Sequence, residues 1–242
     1  MVARVVIVAL ALIACSTGDE PALPSFDAAP APSIDAAAGF GNISGACGDI
    51  DDELVSAAPD FFRLAIEFDR LFTDADKGLL SAGAQLILQD GNAGGSSVLS
   101  EVFAFDVLQR CEAATLLKTE TQIDYDTDGK LTDFLAQMGA EKIGVSVTRA
   151  VNFPFGSAYP LSSAEDLLTS KLGDILVSTA NVSAADRWQK QVLAILAYGP
   201  EHADTIAMAY AALDADLKAD TLVYVVVTDG SDDFIYCDGV CE

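Results

Sequence analysis

An α/β fold, a mixed sheet flanked by helices, is predicted by three observations. From residue 97 onward the chain reads helix, three-strand meander, helix, strand, helix, strand. Residues 223–227 are wholly apolar, which suits a strand covered on both faces. Hydrophobic residues make up 51% of the 242, ample for one core.

Taken in order, residues 51–89 place Leu54, Phe61, Phe62, Leu64, Ala65, Phe68, Leu71 and Phe72, then Leu79, Leu80, Leu86, Ile87 and Leu88, at helical spacing. They predict two helices, broken near 73–78, ahead of the main sheet. The glycine-rich stretch 90–95 is a loop, and Ser96 or Ser97 caps a helix to Glu112 whose buried stripe is Val98, Val102, Phe105 and Leu108 or Val107. Three strands follow at 115–126, 130–138 and 142–151, rich in alternating or β-branched residues. Ser162 or Ser163 starts a helix through Leu167, Leu168, Leu172, Ile175 and Leu176. Residues 190–198 form a strand, Pro200 opens a helix to about residue 218, and 221–228 is the last strand.

At the N-terminus a lone Arg4 precedes the apolar run 5–13, and Leu12-Ile13-Ala14-Cys15 closes it. This arrangement resembles the lipobox of bacterial lipoproteins and implies a signal peptide over 1–14 with Cys15 as the lipidated residue. The apolar run is shorter than the roughly 20 residues a spanning helix needs. The resemblance places the protein in the bacterial cell envelope, exported and held to the outer membrane or cell surface through Cys15. Residues 15–46, rich in Ala, Pro, Ser and Asp with Pro21, Pro24, Pro30 and Pro32, read as a flexible tether, and 47–242 as a single globular domain. In an oxidising compartment Cys47, Cys111, Cys237 and Cys241 suit two disulfides, with three pairings open. Zinc is the lesser alternative, because the spacing is not paired CxxC and His202 is the sole histidine.

The net charge of −24 repels phosphate backbones and anionic lipid and attracts cations, so polynucleotide binding is disfavoured. No G-x-S-x-G, G-x-G-x-x-G, P-loop or H-E-x-x-H is present. Asp124-Tyr125-Asp126-Thr127-Asp128-Gly129 begins like a calcium loop, but the twelfth place is Leu135 where a bidentate Glu belongs. A hairpin turn is the competing reading, with Asp124, Asp126 and Asp128 as calcium candidates in the other.

Helix, three-strand meander, helix and strand over about 97–228 resembles the core of restriction-endonuclease-like nucleases of the PD-(D/E)XK type. That resemblance implies an acidic residue on the second core strand and a Glu-x-Lys on the third, which together hold Mg²⁺ and activate water. Asp133 stands at the acidic position, but Ser146 and Thr148 stand where the Glu and Lys belong. Groups that could replace them are Glu101 on the first core helix, Glu120 on the first strand and Lys171 on the following helix; ordinary exposed charge is their alternative. Ser146, Thr148 and Arg149 also form a candidate ligand-binding set at the end of a central strand, Arg149 suiting a carboxylate or phosphate. Three functions are therefore carried forward. The first is a non-catalytic binding module for an unknown protein or glycan on a nuclease-like scaffold. The second is a metal-dependent phosphodiesterase using Glu101, Glu120, Asp133 and Lys171, and the third a calcium-responsive surface protein. No cofactor is assigned beyond Mg²⁺ or Ca²⁺ as candidates.

Overall fold

The computed structural model describes residues 36–92 and 97–237. Cys15, the signal-like run and most of the tether lie outside them, as does Cys241. The mixed sheet with flanking helices is present: seven strands in the order β1-β2-β7-β6-β5-β4-β3. These are β1 (Asn42–Gly45), β2 (Asp60–Phe68), β3 (Thr115–Thr119), β4 (Phe134–Met138), β5 (Glu141–Ala150), β6 (Lys190–Tyr198) and β7 (Leu222–Gly230). The helices are α1 (Ala82–Asp90), α2 (Val98–Glu112), α3 (Leu161–Asn181), α4 (Pro200–Ala212) and the short α5 (Ala215–Lys218).

β3, β4 and β5 form the antiparallel meander, and β6 and β7 then join parallel to β5. The apolar runs of the central strands are two-sided, as expected. Val192, Ala194, Leu196, Leu222, Tyr224 and Val226 face the α1–α2 layer, while Leu193, Ile195, Ala197, Val223, Val225 and Val227 face α3 and α4. No strand with one wet face could carry such a sequence.

Two expectations fail at the N-terminal side. The first of the two predicted leading helices is instead β2, which runs parallel to β7, and only the second exists, as α1. Along β2, Phe62, Leu64, Ile66 and Phe68 pack against one core and Phe61 and Ala65 against the other. A strand apolar on both faces satisfies helical spacing by accident, and the open edge of β7 decides in favour of pairing. The end of the tether is also structured. Phe40 is buried in the core, β1 pairs antiparallel with β2, and Arg110 of α2 donates to the carbonyls of Ala37, Phe40 and Gly41 at 2.8, 3.0 and 2.8 Å.

Cys47 and Cys111 form a disulfide that fastens this segment to the end of α2. Cys237 is also disulfide-bonded. On β5, a Cβ at Gly144 would lie 2.6 Å from Trp188 Cδ2, so the glycine lets the indole lie flat against the strand. Trp188 is buried, and its Nε1 donates to Thr179 Oγ1 at 3.1 Å, locking α3 to the sheet beside β5.

Candidate functional site

β4 stops short of β5. Their last paired residues are Phe134 and Val145, while β5 continues to Ala150 with β6 beside it on the other edge only. At the point of divergence Asp133 donates its N–H to the Val145 carbonyl at 3.0 Å. Its Oδ2 then accepts the Val147 N–H at 2.6 Å, so a side chain takes the place of the next strand residue. Two further contacts fix this turn: Tyr125 Oη accepts the Thr132 N–H at 2.8 Å, and Thr132 Oγ1 donates to Ser178 Oγ on α3 at 3.1 Å.

Beyond Asp133 the parting strands leave a cavity of about 250 Å³. Its walls are Asp133, then Val147, Thr148 and Arg149 of β5, the opening turn of α2 with Ser97, Ser100 and Glu101, and Lys171 of α3. Ser97 and Glu101 are four residues apart and so share a helix face. Glu101 is only 2% exposed, and its Oε1 accepts Asn92 Nδ2 at 2.7 Å and Ser97 Oγ at 3.1 Å. Glu101 is therefore a buried acid at a helix N-terminus, and its reading as exposed surface charge falls.

Of the residues expected to take part, Glu101, Asp133, Lys171, Thr148 and Arg149 meet at this cavity. Glu120 stands on the 3-10 turn after β3 and does not line it, although its charge acts on both Glu101 and Asp133. Ser146 is buried in β5 beside Leu193, on the sheet face that packs against α3 and α4, and does not line the cavity either. Asp124, Asp126 and Asp128 lie on an exposed loop elsewhere, and Asp124 pairs with Lys118. Among the described residues no three His, Cys, Asp or Glu side chains are grouped to hold a metal ion, either at this loop or at the cavity. Tyr125 of that motif acts structurally, through the hydroxyl that steadies Thr132.

The sequence does not single out Ser97, Ser100 or Asn92 as site residues. Ser97 reads there only as a cap, and the spacing Ser97-x-x-x-Glu101 is the available signal. His202, the sole histidine, is buried, and its ring stacks on Tyr159 at 5.2 Å.

The electrostatics of the cavity follow from the burial of its two acids. Burial pushes the Asp133 carboxyl up to about 7; the charges of Glu101 and Glu120 add to the rise, while the Val147 N–H and Lys171 oppose it. Glu101 is also raised, first by burial, with Asn92 and Ser97 holding it back. Among the described residues, Asp133 Oδ1 and Glu101 Oε2 have no hydrogen-bond donor, yet neither is sealed from solvent. Each acid thus offers one oxygen to the cavity.

A divalent cation fits this donor set. Mg²⁺ accepts one or two protein carboxylates and keeps several waters, so two acids are enough. It would supply the counter-charge that the raised carboxyls lack. Lys171 makes no ion pair within the described residues, and its charge reaches Asp133. Arg149 donates Nη1 to the carbonyls of Ile235 and Tyr236, both at 3.2 Å, which fixes the guanidinium at the cavity wall.

Comparison with known proteins adds one relative and no family. The chain is similar to the AAC-rich mRNA clone AAC4 protein of Dictyostelium discoideum, 40% identical over 164 residues, covering 65% of this chain. It spans about a quarter of that protein's length (24%). No family model and no solved structure matches.

Proposed function

We propose that this domain is a divalent-metal-dependent hydrolase of phosphodiesters, with a site rearranged from the PD-(D/E)XK arrangement its element order resembles. The observation that carries this reading is the convergence of Asp133, Glu101 and Lys171 on one cavity at the parting of β4 and β5. Three separate elements deliver these groups to a shared concavity.

Asp133 Oδ1 and Glu101 Oε2 would hold the ion. Bound Mg²⁺ or Mn²⁺ supplies Lewis-acid polarisation of a phosphoryl oxygen and acidifies a water. Arg149, held by two carbonyls, lines the same cavity and would be within reach of a bound phosphate. Lys171 adds positive charge and keeps Asp133 closer to its ionised form. Thr148 lines the cavity with a hydroxyl for orientation, while the Ser97 hydroxyl is given to Glu101 and that of Ser100 to the Ile235 carbonyl. The lysine and the second acid thus arrive from α3 and α2 and not from the strand that carries Ser146 and Thr148.

Export and attachment through Cys15 belong to the same proposal. The Cys47–Cys111 bond supports an oxidising compartment. The non-catalytic binding module remains the rival, favoured by the net charge of −24.

Calorimetry with Mn²⁺ and turnover of bis(p-nitrophenyl) phosphate decide between them. In the phosphodiesterase, Asp133→Asn and Glu101→Gln each weaken Mn²⁺ binding at least tenfold, and Lys171→Met lowers turnover while ion binding stays near wild type. Absence of both Mn²⁺ binding and turnover in the wild-type protein would leave the binding module.

A further inference from the structure

The loop that follows β5, the strand that lines the cavity, carries an aromatic ladder. Phe153 is 63% exposed, and its ring centroid lies 4.8 Å from that of Phe155. Phe155 stacks on Tyr198 at 5.1 Å with 15° between the planes, and meets Tyr236 at 6.3 Å. The Tyr236 carbonyl is one of the two that hold Arg149. Arg149 at the cavity wall is thus linked through Tyr236 and Phe155 to the exposed Phe153 ring. Phe153 is the fourth residue after Arg149, so their Cα atoms lie within roughly 14 Å.

The ring is presented by a braced loop. Asn152 Nδ2 donates to the Ala158 carbonyl at 2.9 Å, and the N–H and Oγ of Ser157 donate to the Pro154 carbonyl at 3.1 and 2.6 Å. A lone exposed phenylalanine is ordinary. One backed by a second ring, on a bonded loop at the end of the strand that lines a cavity, is pre-organised for contact with a flat group.

We infer that Phe153, backed by Phe155, is a stacking platform for the base of a nucleotide whose phosphate sits at the Arg149–Lys171 cavity, and that the substrate is a short nucleotide chain and not a polynucleotide. This rests on the phosphodiesterase reading. A base face stacks on phenyl whatever its identity, so the platform sets the substrate class without base preference. The restriction to short chains comes from the cavity of about 250 Å³ and from the charge of −24, which opposes each added phosphate.

The test is calorimetric binding, with Mg²⁺ present, of thymidine 5′-monophosphate against methyl phosphate, which carries the same phosphate without rings. The platform requires the nucleotide to bind at least tenfold tighter, that advantage to vanish in Phe153→Ala, and Phe153→Trp to keep it, with methyl phosphate affinity the same in all three. Equal binding of the two ligands to the wild-type protein, or an advantage that survives in Phe153→Ala, overturns the platform while the phosphate site stands. Failure of both ligands and of Mn²⁺ to bind overturns the phosphodiesterase reading and the platform together. A thymidine oligonucleotide of about twenty residues binding more tightly than the monophosphate overturns the restriction to short chains.

Discussion

Asp133 is the residue on which the site's electrostatics turn. Its carboxyl titrates near 7 in the folded chain against roughly 4 in an unfolded one. Between those values the folded state binds the additional proton, so stability falls as pH rises through that window and the penalty is complete above it. A tenfold difference in proton affinity corresponds to about 1.4 kcal/mol, but the side chain reaches an open cavity, so the penalty is discounted to roughly 2 kcal/mol at pH 8. Asn at this position keeps an oxygen for the Val147 N–H and removes the titration. Urea denaturation in EDTA should therefore show Asp133→Asn gaining on wild type by roughly 1.3 kcal/mol from pH 5 to pH 8, the remainder of the penalty having already set in below pH 5. Parallel pH profiles for the two proteins would contradict the proposed environment. The residue is legible in the sequence as the acid at the head of the second meander strand. Glu101 and Lys171 are legible only as replacements sought because Ser146 and Thr148 lack the required chemistry. What hides Ser97 and Ser100 is that a hydroxyl in a helix's first turn reads as a cap, and only the tertiary placement of α2 turns it toward a cavity.

Among the elements, α2 joins stability to chemistry. Its first turn carries Glu101, and its last turn is bound to the N-terminal segment by the Cys47–Cys111 bond and by Arg110. Glu112 extends the fastening: its carboxylate accepts the N–H groups of Gly48 and Ile50 at 3.1 and 3.3 Å and the Tyr224 hydroxyl at 3.1 Å. The disulfide closes a loop with a sequence separation of 64. In the chain-entropy account such a loop is worth about 4 kcal/mol, or on the order of 10 °C in Tm for a domain of this size. The Cys47→Ala/Cys111→Ala pair should melt lower by that amount in scanning calorimetry, yet retain Mn²⁺ affinity within a few-fold, because Glu101 lies at the far end of the helix. Collapse of Mn²⁺ affinity in a variant that is still folded would show that the staple positions Glu101. From β3 to β7 the elements are readable because each changes period where a turn residue stands. β2 is not, because Phe61, Leu64, Ala65 and Phe68 fit a helix as well as they fit a strand buried on both faces. Only the parallel pairing with β7, more than 150 residues away in sequence, separates the two readings.

At the scale of the whole molecule, the charge of −24 and the local cations at the cavity act over different distances. Raising salt from 0.01 to 0.1 M shortens the screening length from about 30 to about 10 Å, which removes most of the long-range field and leaves contacts within a few ångströms. For an anionic nucleotide the long-range field is repulsive, while Lys171 and Arg149 attract only at contact. Its association rate should therefore rise several-fold over that range, whereas Mn²⁺, drawn in by the same field, should lose affinity. Proteins that hold polynucleotides through many lysines and arginines show the reverse, with binding falling steeply as salt is added. Stopped-flow mixing with thymidine 5′-monophosphate at the two salt concentrations measures the sign directly. A rate that falls with salt would mean that Lys171 and Arg149 set the field at the cavity mouth, and the charge argument for a short substrate would go with it. A rate that rises would tie the acidity of the chain to the size of the substrate it admits.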